Sequence, residues 1–578
     1  MPLMFQAFKA PALLSWPAQR SWPWLLVGAL AYLSFGFTEM MGSDLWWHIA
    51  AGREIVENGS PWLTDDWSYT ESGSPWRNHE WLADLLFYAW VQLFGVPSLV
   101  IWKWALIVAS FCLLQQVLTR VSASPLAALL ASVAGIAIAA PFLDIRPQLY
   151  TLLGIALLLH FALLRPARLR DLLLLFLIWV NLHGGFVFGL MLLGILLCPW
   201  RDMSILAVRN ALLKWTACAA ICLVNPDGLK IFWLPLVYAL NADSPYRSLG
   251  EWRSPFEAGG IVSPLYAYSL VVAAALCLSW LLPVVRRRVA FSPEIFAMVL
   301  LSAAMSATSR RFVILWAMAF AILLAPFVAP FVAPFLRQRL VQPLMLPALL
   351  AIMIWAAMRV APYSLYPPIA YHYLSAEYVY PHGLMDFVDV NGLKGNTFAF
   401  YNWGGYVHWR SDGQLKVFID GRANTVFDDA TYMQYVSVLG AKGKWIEIIE
   451  NSGAQLFMWP RGRGGQRLIR GLLQTGRWRL LYQDVRGVLL VHQGFALPSP
   501  LRLPPDGVDS DLTAAFMASQ KGDNVAALAA ASRAHDRRPW GQATCTWLKR
   551  TLQANGQGRE AESVMANCRA RFPSKYLR

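Results

Sequence analysis

The chain is a succession of long apolar runs separated by short polar breaks, and the runs give the first prediction. The stretch SWPWLLVGALAYLSFGFTEMM (21–41) is long enough to cross a bilayer and lacks a small-residue cleavage site, so it reads as a retained first span. Further spans are expected near 98–120, 124–141, 148–164, 210–224, 264–283, 291–307, 312–335 and 344–361. Between 172 and 201 two short apolar halves flank the segment NLHGG (181–185). This predicts a helical hairpin with a broken tip, tolerated at membrane depth only where it lines protein or a watery cavity. The hairpin brings the total to about eleven crossings. Residues 80–95 are apolar but short, and Gly95 and Pro97 part them from the next span, so they predict a helix lying in the interface.

From 363 the pattern turns soluble. NTFAFYNWGGYVHW and KVFIDGRANTVF alternate as strands do, TYMQYVSVLG and WIEIIENSG read as helices, and WRLLYQDVRGVLLVHQG reads as a closing strand pair. A small α/β domain is expected over 363–500, followed by the linker LPSPLRLPPDG. Residues 508–578 hold Ala-rich helical pairs resembling one and a half tetratricopeptide-type repeats, too few to stack alone and open to a protein partner. The fold class expected is an α-helical polytopic membrane domain over 1–362, with the α/β domain and the TPR-like tail behind it.

Composition agrees with the pattern. The 578 residues are 57% hydrophobic and 14% charged, with mean hydropathy +0.43. Soluble domains carry about 25% charged residues. The net charge of +15 does not point to nucleic acid, because the basic residues cluster in short loops between apolar runs, the positive-inside pattern. Lys9 and Arg20 put the N-terminus in the cytoplasm, and counting spans puts the C-terminal domain outside. Five cysteines lie in apolar runs and read as packing residues, whereas Cys545 and Cys568 sit symmetrically about a helical turn and are expected to form a disulfide.

Candidate chemistry lies at the edges of the spans. Asp44 begins a helix with His48 one turn on, Glu80 begins the short helix, and Asp144 follows the third span. Each sits where the helix dipole alone would accept an acid. All three fall at one membrane boundary, where carboxylates near an apolar wall suit a general base or a shared divalent cation such as Mg or Mn. Arg146, Arg310 and Arg311 break the positive-inside pattern; they fit either snorkelling to headgroups or a clamp on a lipid phosphate. His183 and Asn181 lie on the hairpin tip, as satisfied polar groups or as donors into the cavity beneath. His48, His79 and His183 lack zinc-site spacing. The tryptophans of 44–90 read as an interfacial belt, with one or two available to stack on sugar rings. Asp65 and Asp66 read as a turn, and Asp420 and Arg422 as an Asp-Gly turn with an internal ion pair.

In this order, Asp44, Glu80 with LFYAWVQLFG, and Asp144 resemble the GT-C superfamily of membrane glycosyltransferases, which includes protein mannosyltransferases, lipid A aminoarabinose transferases and oligosaccharyltransferases. The likeness spans roughly 20–360, by the length expected of such a bundle, and extends to the α/β domain. The proline-rich acceptor-loop signatures of the mannosyltransferases are absent, and His183 stands where some relatives place a lysine. The resemblance implies a bacterial inner-membrane enzyme with a polyprenyl-phosphate-linked sugar donor and a glycan, lipid or protein acceptor reached from the periplasm. It implies Asp44 as base, Glu80 and Asp144 as its supports or cation ligands, and Arg146 with Arg310 or Arg311 on the phosphate. Two rivals are a non-catalytic scaffold of a polysaccharide-assembly complex and a lipid-linked glycan transporter. A transporter favours inverted repeats and charges at the midplane, and neither is evident.

Overall fold

The computed structural model describes residues 22–36, 42–76, 78–164, 168–233, 244–257, 263–289, 292–337, 342–360, 379–539 and 541–571. Lys9 and Arg20 lie outside the described residues. In chain order the helices are α1 (Trp22–Phe35), α2 (Asp44–Asn58), α3 (Trp81–Phe94), α4 (Leu99–Ser122), α5 (Pro125–Ala139), α6 (Gln148–Leu163), α7 (Leu169–Leu182), α8 (Phe186–Leu197), α9 (Ile205–Ile221), α10 (Pro264–Ser279), α11 (Pro293–Thr308), α12 (Val313–Arg337) and α13 (Gln342–Val360). The chain divides into two compact units, one of residues 1–38, 79–83 and 99–359, the other of 39–78, 84–98 and 360–578.

The first unit is a helical bundle. Among the described residues four stretches are long and apolar enough to cross a membrane, Val96–Ser122, Pro125–Phe142, Ile205–Val224 and Arg310–Val332, and shorter apolar helices stand at most of the other expected spans. Ser-Pro starts three of the helices, α5, α10 and α11, with proline at the first helical positions, where no N–H is needed. The Ser124 and Ser292 hydroxyls accept from Ala127 and Ile295 N–H and so cap two of them. Small residues let helices close up: a Cβ on Gly135 of α5 would lie 2.9 Å from the Ala317 carbonyl of α12. Tyr32 bonds Gln115 at 2.8 Å and Ser132 at 2.5 Å, tying α1, α4 and α5 through one buried hydroxyl. The break at NLHGG falls between α7 and α8 as expected, and Trp179 of α7 packs against Gly154 of α6 and Gly189 of α8.

The second unit is built on a five-stranded sheet. Its strands are β3 (Gly395–Ala399), β4 (Leu415–Val417), β5 (Leu456–Pro460), β6 (Trp478–Gln483) and β7 (Gly487–His492), in the order β4-β3-β5-β7-β6. β3 runs parallel to β4 and β5, and β5, β7 and β6 pair antiparallel. The loop after α2 carries a hairpin, β1 (Leu63–Thr64) with β2 (Pro75–Trp76), and the segment between its two strands joins the sheet edge: Val417 N–H donates to the Trp67 carbonyl at 2.9 Å and Tyr69 N–H to the Val417 carbonyl at 3.2 Å. The expected strand over NWGGYVHW is instead a helix, Gly404–Arg410. Buried Trp403 just before it and Tyr406 and Val407 within it fall at helical spacing on the sheet's core, and that period outweighs the alternation read from the sequence. Likewise only the first two residues of KVFIDGRANTVF, Lys416 and Val417, are strand, as the end of β4, with a turn at Asp420 and a 3-10 turn over Ala423–Thr425 behind it. Among its described residues the tail forms four helices, Val508–Gln520, Asn524–Arg537, Gln542–Ala554 and Gly558–Arg571, with Cys545 and Cys568 joined in a disulfide.

Candidate active site

In the first unit several chain breaks meet at one polar cluster. These are the turn before α3, the α5–α6 connection, the α7–α8 tip, the segment 244–257 and the turn at 308–312. Glu80 is buried, with His79 Nε2 at 3.5 Å and His183 Nε2 at 3.6 Å from the same carboxylate oxygen. The His183 tautomer follows from its other nitrogen. Nδ1 accepts the Gly185 N–H at 3.0 Å and lies 2.7 Å from the Thr151 hydroxyl, whose oxygen already accepts the Trp179 indole N–H. The neutral ring with Nδ1 accepting carries its proton on Nε2, toward Glu80, so Arg311 Nη2, 3.5 Å from the same nitrogen, is a neighbour and does not donate to it. Gly185 is needed for this arrangement, since a Cβ there would sit 2.1 Å from Thr151 Oγ1. Asn181 accepts from the Trp81 indole at 2.7 Å and from Asn225 at 3.2 Å, and Asn225 also donates to the His79 carbonyl. These bonds fix the hairpin tip to the turn that carries Glu80.

Two arginines meet on a residue the sequence did not single out. Arg146 hydrogen-bonds the Glu251 carboxylate, and Arg311 Nη1 lies 3.6 Å from its other oxygen. The backbone is pinned as well: Arg311 N–H and the Ser309 hydroxyl both donate to the Glu251 carbonyl, at 3.1 and 2.9 Å, and Arg310 N–H donates to the Arg253 carbonyl. The Arg311 guanidinium lies over the Trp252 ring at 4.9 Å. Burial pushes the Glu251 carboxyl up, but Arg146 and Arg311 together hold it below the usual carboxylate range. Burial likewise works against a charged His79, and the Glu80 carboxylate outweighs it, so its pKa is raised. Among the described residues, Arg310 Nε and Nη2 lie out of solvent with no hydrogen-bond partner. Asp144 accepts from Ile145 N–H at 2.8 Å, and its charge acts on Lys103, a fully buried lysine of α4.

Asp44 and His48 belong to the second unit. Asp44 opens α2, where the dipole favours an acid, and Ser43 donates to it at 3.2 Å. Gly421 lies against it, so that a Cβ there would stand 3.1 Å from Asp44 Oδ1. His48 is occupied structurally: Nδ1 lies 2.5 Å from Asp84 Oδ1, both groups are buried, and Asn78 donates to the second Asp84 oxygen at 2.9 Å. Asp65, read from sequence as a turn residue, does accept from Trp67 N–H. It also forms one side of a fully buried triad in which Arg422 bonds Asp65 at 2.7 Å and Asp420 at 2.8 Å, with Trp67 stacked on the guanidinium at 4.1 Å. The Asp420–Arg422 pair is thus the internal ion pair expected, with a third partner from a distant part of the chain.

The predicted residues Glu80, His79, His183, Arg146 and Arg311 therefore fall in one cluster, with Asn181 bracing it. Sequence reading missed Glu251, Lys103 and Asp84. Lys103 and Asp84 left a signal, a charge inside an apolar run. Glu251 left none beyond an acid in a loop, because its partners lie over 50 residues away on either side.

Neither a family model nor a curated protein matches the chain. Solved structures do. The archaeal oligosaccharyltransferase AglB from Archaeoglobus fulgidus, in complex with an inhibitory peptide and a dolichol-phosphate, aligns with TM-score 0.55 and 11% identity over 94% of this chain and 86% of its own. The apo form of the Archaeoglobus fulgidus oligosaccharyltransferase aligns with TM-score 0.53 at the same identity and coverage. At that identity the likeness speaks for architecture alone: this chain shares the fold of these two oligosaccharyltransferase structures.

Proposed function

We propose that the chain is a membrane glycosyltransferase that moves a sugar from a polyprenyl-phosphate-linked donor to a glycan, lipid or protein acceptor. The observation that carries this is the pair Arg146 and Arg311 on one carboxylate, beside Glu80 and two imidazoles, in a chain with the fold of a protein solved with a dolichol-phosphate. Asp44 takes the proton of the acceptor nucleophile. The acceptor atom bonds the sugar's anomeric carbon, the bond from that carbon to the phosphate oxygen breaks, and its electron pair leaves on the lipid phosphate. Arg146, Arg311 and Arg310 neutralise the charge that develops there. Glu80, His79 and His183 hold the site's geometry.

Asp44, Glu80 and Asp144 offer the hard oxygen donors a divalent cation takes. Among the described residues, however, the one group of three or more metal-type ligands is His535, Cys545 and Cys568, and its thiols are spent in the disulfide. The eleven-span topology, with a cytoplasmic N-terminus and the second unit in the periplasm of a bacterial inner membrane, belongs to the same proposal; the basic run Arg286–Arg288 supports it.

The test is turnover of polyprenyl-phosphate sugars by the purified full chain, read as released polyprenyl phosphate. Asp44→Asn is expected to insert normally and to lose about two to four orders of magnitude in rate. Full activity in that variant removes Asp44 as base. Failure of the wild type with every donor sugar, while it still carries sugar-lipid across a bilayer, favours a transporter.

A further inference from the structure

We infer that Glu251 is a resident anion: its carboxylate takes the place between Arg146 and Arg311 that a lipid phosphate occupies on binding, and the phosphate must displace it. This rests on the phosphate reading of the cluster and adds to it a residue with a defined task. The chemistry matches, since a carboxylate and a phosphodiester are both monoanions that present two oxygens to guanidinium groups. The construction matches too. The Glu251 backbone is anchored through its carbonyl by Arg311 N–H and Ser309, so the side chain can swing away while the loop stays in place. Arg311 does not lose its bearing when the carboxylate leaves, because Trp252 lies under the guanidinium at 4.9 Å. The three side chains are 24%, 33% and 27% exposed for Arg146, Glu251 and Arg311, within reach of a ligand rather than sealed in the bundle.

An internal competitor lowers the apparent affinity by the fraction of protein in which it is released. Removing its charge should therefore tighten phosphate binding, whereas removing an organising residue would weaken it. The experiment titrates the purified full chain in detergent with undecaprenyl monophosphate, following tryptophan fluorescence, with undecaprenol as the uncharged control. Wild type is expected to bind the phosphate and not the alcohol. Arg146→Ala and Arg311→Ala should each weaken binding about tenfold or more, the scale of a lost charge-assisted pair. Glu251→Gln should tighten it about tenfold, and Glu251→Asp, which keeps the charge, should not. An arm with inorganic phosphate separates headgroup from chain, and the Glu251→Gln gain is expected in both. If Glu251→Gln binds no better than wild type while the arginine variants fall, the displacement idea is wrong and the phosphate site stands. If the arginine variants bind as wild type does, the phosphate site itself is wrong and this inference goes with it.

Discussion

Arg422 shows how far a single side chain's role can lie from its appearance in the sequence. It is fully buried between Asp65 and Asp420, and burial alone would push Asp65 up; the guanidinium beside it holds that carboxyl below its ordinary value. Replacing Arg422 by methionine strands two carboxylates in the core. Such breaks typically lose about 3–5 kcal/mol. Arg422→Met should therefore lower the urea midpoint of the second unit sharply, and the triple variant D65N/D420N/R422M should recover part of the loss. A triple variant no better than R422M would mean the pairing is not what the arginine supplies. At this scale the sequence was legible where partners are close in the chain, as with Asp420 and Arg422 two residues apart. It was silent where they are not: Asp65 lies 357 residues from Arg422, and nothing in a local Asp-Asp turn signals that.

Elements were more legible than residues in the bundle and less so in the sheet unit. Apolar runs place the spans because each must bury its whole length in apolar surroundings, so the pattern needs no tertiary knowledge. The segment NWGGYVHW fails as a strand because two glycines give no side-chain signal, and what they permit is a contact: a Cβ on Gly405 would lie 3.0 Å from the Trp47 backbone nitrogen. The hairpin tip allows a paired test of the same reasoning. Gly185→Ala places a Cβ 2.1 Å from Thr151 Oγ1 and 2.9 Å from His183 Nδ1, and should cost about 1–3 kcal/mol and displace His183. Gly184→Ala meets nothing nearer than 3.6 Å and should behave as wild type. Thermal unfolding and phosphate binding of the two variants, side by side, check this; equal behaviour would show that the tip is not held by Gly185.

Across the whole molecule, the division into units does not follow the division into sequence segments. Composition separates an apolar front from a soluble back near residue 363, yet residues 42–76 fold with the soluble part. Arg53 pairs with Asp412 at 2.6 Å and stacks on Trp409, Trp46 packs edge-on against Tyr380 and Tyr406, and Thr70 donates to the Phe418 carbonyl. A chain ending at residue 360 should still insert, but trypsin should cut it at Arg53, a site the full chain protects. Equal resistance in both forms would mean that 42–76 folds without its partner.

The edge strand that receives residues 67–69 brings a matter of timing. Thr70 and Phe418 are 348 residues apart, so at ordinary rates of synthesis the early segment waits roughly 20–70 s for the strand that completes it. Throughout that interval its tryptophans have no sheet to cover them, while the bundle helices are already entering the bilayer. Slowing the ribosome between these two points should lengthen the vulnerable period and lower the yield of intact protein.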